Sequence, residues 1–234
     1  MTYDGGKNGE GVWQTIINQM PPHRAYVELF LGSGAVMRRK RPAPELNIGV
    51  EIDPVTAAAV RPEMTAVDVI EGCALEWLRR EGMAAAADVL IYADPPYLLT
   101  TRSQQRDLYR REFGGPAEHT DLLTLLDRTK ALAVISGYRS SLYDELLPEP
   151  KWRRLDFVAG SRGGPRLESL WMNFPDPAEL HDYRYLGKNR TQRQRIRRKL
   201  HRWQTRLTAL PALERAALLS ALLAPAAHCD YARG

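Results

Sequence analysis

The chain has 234 residues, 44% of them hydrophobic, which suits a single α/β domain with a modest appendage and leaves no room for two full domains. It contains no apolar run near the roughly 20 residues that span a bilayer, and polar Thr2 and Asp4 stand at the amino terminus where a signal-peptide core would lie, so a cytoplasmic protein with no membrane partner is expected. The net charge of +5 is uneven: residues 183–207 carry ten Lys or Arg and no acid, and taking those ten from +5 leaves −5 for the rest, which points to a near-neutral to acidic body with a polyanion-binding extension.

Short runs rich in β-formers occur at 26–31, 47–52, 88–93 and 131–136, with helical stretches at 54–60, 73–87 and 118–130 between them. This β-α alternation predicts a parallel sheet covered on both faces, in which ligands sit at the carboxyl ends of the strands. Two further strands, at 152–158 and 167–174, read as a closing pair joined through Gly160, Gly163, Gly164 and Pro165. From about residue 190 the pattern becomes helical: Ile196, Leu200, Trp203, Leu207 and Leu210 form an apolar stripe with Arg193, Arg197, Arg198 and Arg202 largely off it, and Pro211 opens a second helix. The stripe is expected to dock the tail, with a coiled-coil contact as the competing use. Cys73 and Cys229 lack metal-ligand spacing and read as ordinary thiols; no metal is expected.

Four places carry chemistry. Glu28-Leu-Phe30-Leu-Gly32-Ser33-Gly34 follows the first strand and is expected to open a helix, its glycines letting the backbone approach a cofactor closely. The second strand ends in Val50-Glu51-Ile52-Asp53-Pro54; Glu51 is placed to accept a ribose hydroxyl pair, whereas Asp53 before Pro54 suits a helix start. Asp68, after a third apolar stretch, is a candidate acceptor for an exocyclic amine. Asp94-Pro95-Pro96-Tyr97 comes straight off a strand, and its proline pair ends the ladder in a rigid pose. The carboxylate of Asp94 and the carbonyl of Pro95 suit a planar amine such as that of adenine, whose lone pair is delocalised, with Tyr97 stacking on the base.

Together these segments resemble the Dam-like, or D12, class of N6-adenine-specific DNA methyltransferases over most of residues 3–175. Tyr3-Asp4-Gly5-Gly6-Lys7 is similar to its amino-terminal cofactor motif, Glu28 to Gly34 to its glycine loop, Val-Glu-Ile-Asp-Pro to its ribose acid and Asp94 to Tyr97 to its catalytic tetrapeptide, all in order. Ile135-Ser-Gly-Tyr-Arg139 and Glu168-Ser-Leu-Trp-Met-Asn173 resemble its later motifs. The resemblance implies a Rossmann-like methyltransferase fold, a seven-stranded mostly parallel sheet with an antiparallel closing strand, here followed by basic helices. It also implies S-adenosylmethionine as cofactor and an extruded adenine in DNA as acceptor. Tyr3, Gly6, Lys7, Glu28, Phe30, Gly32, Ser33, Gly34, Glu51, Ile52 and Asp68 are then expected around the cofactor, with Asp94, Pro95, Pro96 and Tyr97 catalytic.

The sequence departs from that class in one respect: 25 residues separate Asp68 from Asp94, where the class carries a recognition domain. A loop at 98–119 bearing Arg102, Arg106, Tyr109, Arg110 and Arg111, together with Arg139 and a basic extension from 181 to 234 after a catalytic domain at 1–180, is expected to contact DNA. Adenine in RNA, a protein amide, or a DNA-binding relative without catalysis are the alternatives, and a restriction endonuclease partner is left open.

Overall fold

Seven strands form one sheet in the order β3-β2-β1-β4-β5-β7-β6. They are β1 (Ala25–Leu29), β2 (Leu46–Glu51), β3 (Asp68–Glu71), β4 (Val89–Ala93), β5 (Leu132–Gly137), β6 (Arg153–Ser161) and β7 (Gly164–Met172). The computed structural model describes residues 7–82, 86–98, 113, 115–161 and 164–224. Strands β1 to β5 pair in parallel; β7 runs antiparallel to both β5 and β6. This order with its single reversed strand beside β5 is the Rossmann-like fold of S-adenosylmethionine-dependent methyltransferases, as expected from the sequence.

The sheet is apolar on both faces because helices cover both. On one face Val27, Leu29, Ile91, Ala93, Ala133 and Ile135 pack under α3 (Ala74–Trp77), α4 (Pro116–Arg128) and α5 (Ser141–Leu146). On the other, Tyr26, Leu90, Tyr92, Val134 and Leu170 meet α1 (Val12–Ile17) and Val60 of α2 (Pro54–Val60). The alternation is the strand period of two applied to a parallel sheet. Helix α4 starts at Pro116, with the Glu118 carboxylate accepting the Gly115 N–H at 2.8 Å, and buries Leu122, Leu123 and Leu126.

Several elements differ from the sequence reading. The helix expected over 73–87 is α3 followed by a wide π turn, Leu78–Gly82. Leu78 lies over Gly82, where a Cβ would fall 2.7 Å from its Cδ2, and Thr129 donates to the Gly82 carbonyl; residues 83–85 lie outside the described residues. The helix expected after the glycine turn is a run of turns over residues 35–39, because its bonds mix i−4 (Lys40 to Val36) with i−3 (Arg39 to Val36). Helices α1 and α5, six residues each, are too short to leave a period in the sequence. The closing pair runs tighter than expected, with Ser161 opposite Gly164. Past the last β7 pair, Asn173 extends the ladder with its side chain: Oδ1 takes the Ala133 N–H at 2.7 Å and Nδ2 donates to the Ala131 carbonyl at 2.9 Å.

The chain divides into two units, Met1–Leu186 and Gly187–Gly234. The extension expected from 181 therefore begins at Gly187. Residues 181–186 stay with the first unit because buried Asp182 accepts the Arg41 N–H, the Tyr185 carbonyl accepts from Asn18 and its hydroxyl donates to the Arg39 carbonyl. The second unit holds α6 (Arg190–Thr208), started by an Asn189 cap on the Gln192 N–H, and α7 (Ala212–Leu223); no residue of either helix is buried. Among the described residues, no helix is long and apolar enough to cross a membrane.

Candidate active site

The strand order reverses between β1 and β4: the chain moves outward through β2 and β3, then returns to lay β4 against β1. At such a switch point the loops leaving the two strands diverge and open a crevice at their carboxyl ends. Here those loops are Phe30–Gly34 and Asp94–Tyr97, side by side, with the Asp94 N–H reaching the Leu29 carbonyl at 3.5 Å.

The first loop is built from left-handed backbone: Phe30, Gly32 and Gly34 have φ of 60°, 51° and 63°. Phe30 bears that conformation as a non-glycine residue, its ring edge-on to Phe113 at 4.8 Å between centroids. At Gly34 a Cβ would also stand 1.9 Å from Met64 Cε, so neither the backbone nor the packing accommodates a side chain. Ser33 Oγ accepts from Asn8, and its carbonyl accepts from Arg38. Glu51, at the carboxyl end of the adjacent β2, spans the turn: Oε2 accepts the Gly32 N–H at 2.7 Å and Oε1 the Asp53 N–H at 2.9 Å. Burial raises the Glu51 carboxyl above the usual range, and these two N–H groups oppose that rise. Ile52 is half-buried beside it, and Asp53 caps α2 through Thr56.

Asp94 and Tyr97 of the second loop join a buried polar cluster. Lys7 is buried, and its Nζ lies 2.8 Å from Asp94 Oδ1, 2.8 Å from the Tyr97 hydroxyl and 3.4 Å from Glu168 Oε2. The Tyr97 hydroxyl donates to Glu168 Oε1 at 3.0 Å. Ser136 Oγ donates to Asp94 Oδ1 at 2.7 Å, which leaves the Tyr92 hydroxyl, 3.0 Å away, to donate to Ser136. Burial by itself would lower the Lys7 ammonium, but Asp94, Tyr97 and Glu168 hold it well above the lysine range. Burial, with Asp94 and Glu168 nearby, lifts the Tyr97 phenol well above its usual range, so it stays a donor at neutral pH.

The consequence for Asp94 is an unequal carboxylate. Oδ1 receives both Lys7 and Ser136, whereas among the described residues nothing bonds to Oδ2. The side chain keeps 18% of its exposure, against 3% for Lys7. Among the described residues, Asp94 therefore has one oxygen fixed and one without a partner. Beside it the Tyr97 ring lies against Tyr138, with 4.2 Å between centroids and 32° between planes.

The structure thus brings Lys7, Gly32, Ser33, Gly34, Glu51, Asp94, Pro95, Pro96 and Tyr97 to the carboxyl edge of β1, β2 and β4, and two expected residues elsewhere. Glu28 lies in the core with its Oε2 accepting from the Tyr26 hydroxyl at 2.9 Å, and burial pushes its carboxyl up to about 8. It faces inward because it shares the strand face of Tyr26 and stands opposite Tyr92. Asp68 opens β3 at its amino end, paired with Ile48 midway along β2; the acid beside Glu51 is Glu71. A short apolar run does not reveal at which end its acid sits. Tyr3, Gly6, Arg102, Arg106, Tyr109, Arg110 and Arg111 lie outside the described residues. Arg139 is exposed and paired with Asp144, which also takes Arg154. Ser136, Tyr138 and Glu168 carry parts of the site that the sequence left without roles. Ser136, the polar residue in the otherwise apolar β5, and Glu168, in an inward register of β7, were the available signals.

No protein-family model matches the chain, and no curated protein sequence does. Solved structures that resemble it include TrmN from Thermus thermophilus, at 15% identity and a TM-score of 0.48, covering 69% of this chain and 47% of that one. An O-methyltransferase from Bacillus cereus in complex with SAH has 13% identity and a TM-score of 0.47, covering 70% and 80%. The SAM-dependent methyltransferase from Agrobacterium tumefaciens has 13% identity and a TM-score of 0.46, covering 69% and 60%. The chain spans just under half the length of the Thermus protein. The fold stands on the strand order itself.

Proposed function

We propose that this chain transfers a methyl group from S-adenosylmethionine to the N6 amine of adenine in DNA. The observation that carries the reading is Asp94, with Oδ1 locked by Lys7 and Ser136 and Oδ2 open at the switch-point crevice, on the first residue of an Asp-Pro-Pro-Tyr turn. The residues at the crevice suit the cofactor: a left-handed turn at Gly32 and Gly34 for close backbone approach, the Glu51 carboxylate at the next strand tip for a diol, and two carboxylates against one ammonium around Lys7 for a cation.

S-adenosylmethionine, when bound, supplies an electrophilic methyl on a sulfonium. Asp94 Oδ2, with the Pro95 carbonyl, accepts the amine's hydrogens, draws its lone pair out of conjugation and takes up the proton released on methylation. Lys7 and Ser136 keep the carboxylate in that pose, so no reorganisation is needed at the moment of reaction. Tyr97, held by Lys7 and Glu168, presents its ring as the stacking surface.

The test is transfer of labelled methyl from S-adenosylmethionine to unmethylated duplex DNA, with nucleoside analysis and Asp94→Ala alongside. N6-methyladenine from the wild type and at least a hundredfold less from the variant is expected, on the order of one lost preorganised contact. Unlabelled DNA with labelled RNA or protein would overturn the acceptor.

A further inference from the structure

The two units carry opposite charge. Residues 187–234 hold eleven Lys or Arg and two acids, a net +9, and taking that from +5 leaves −4 for residues 1–186. A net-acidic body repels a polyanion at long range, and the second unit carries the opposing charge. There the charge is concentrated on α6, which carries seven arginines and one lysine. No acid occurs between 187 and 213.

Helical geometry sorts these cations. At 100° per residue, Arg195, Arg198, Lys199, Arg202 and Arg206 fall within an arc of about 100°, and their eleven-residue span is ~16 Å of axis. All five are exposed. Ile196, Leu200, Trp203 and Leu207 fall in a separate arc of only about 60°, narrower than the roughly 100° apolar face that a core- or membrane-seated helix presents. The helix is thus mainly a guanidinium surface, and guanidinium matches phosphate oxygens in bidentate pairs. A duplex offers about one phosphate charge per 1.7 Å of axis, so a 16 Å row of five cations finds a partner for each.

We propose that α6 is the surface on which the chain holds DNA, with Arg195, Arg198, Lys199, Arg202 and Arg206 on the phosphate backbone. The choice of DNA among polyanions rests on the methyltransferase reading above. Such contacts supply affinity and register without reading sequence.

The experiment measures binding of the full chain to a fluorescent 20-base-pair duplex across a salt series, for the wild type and for a variant with all five residues changed to Gln, a good helix former. The variant is expected to bind at least about a hundredfold more weakly near 0.1 M salt, with a log K against log salt slope shallower by about 4, at roughly 0.9 per lost phosphate contact. Its S-adenosylmethionine affinity stays within about twofold of wild type, showing that the first unit is folded. Equal affinity and slope in the two proteins would overturn the proposal, as would loss of binding to anionic vesicles or single-stranded RNA with duplex binding intact. The label-transfer assay reads the methyltransferase proposal separately, so the two failures are distinguishable.

Discussion

Lys7 is an ammonium withdrawn from water between two carboxylates and a phenol, and its removal leaves Asp94 and Glu168 facing each other without a counter-charge. Breaking a buried pair from one side costs about 3–5 kcal/mol. Lys7→Met is therefore expected to lower the thermal midpoint by about 10 °C and to abolish transfer, and an unchanged midpoint in calorimetry would refute the clamp. Because the Lys7 pKa is raised, its contribution is complete below the unfolded lysine value and is lost only as pH climbs through the folded one, so it is constant across neutral pH. Glu28 has the same sign in a lower pH window. Its carboxyl, raised from 4.5 to about 8 chiefly by burial, holds a proton in the folded chain that the unfolded chain has released, so stability falls as pH rises between those values. Glu28→Gln removes that slope. Relative to wild type it should gain on the order of 4 kcal/mol between pH 4.5 and 8 in urea unfolding, at about 1.4 kcal/mol per unit. A difference that does not change with pH would show that Glu28 is ionised in the fold.

At the scale of the element, the Phe30–Gly34 turn determines whether a cofactor backbone approach exists. Gly34 needs positive φ and has Met64 Cε where a Cβ would be. Gly34→Ala should cost about 1–3 kcal/mol and weaken S-adenosylmethionine binding in calorimetry, while a neutral effect on both would mean that the turn adapts. The strands around it were readable because β1, β2, β4 and β5 are contiguous runs of β-formers that end at glycines or acids. The short helices were not, since six residues span less than two turns and leave no period. Asp68 follows an apolar run as a strand-end acid would, but parallel pairing with Ile48 puts it at the amino end of β3.

For the whole molecule, the sheet order opens a crevice between β1 and β4, and binding there should register globally. At a hundred times its Kd, S-adenosylmethionine adds about 2.7 kcal/mol, which is about 5–10 °C in a chain this long. No shift at saturating cofactor would remove the donor from the proposal. The charge is split in the sequence as well, −4 on residues 1–186 against +9 on residues 187–234.

The linear sequence by itself determined the β-α alternation, the turn glycines, the Asp-Pro-Pro-Tyr exit and the concentration of charge beyond residue 187, because each is a property of neighbours along the chain. Tertiary structure alone decided which polar groups meet. Lys7, Asp94, Ser136 and Glu168 are separated by up to 161 residues and share one cluster only once β4, β5 and β7 are adjacent. It likewise turned Glu28 inward and Asp68 to the far end, since side-chain facing and strand direction are set by pairing and register, which a strand's own residues do not encode.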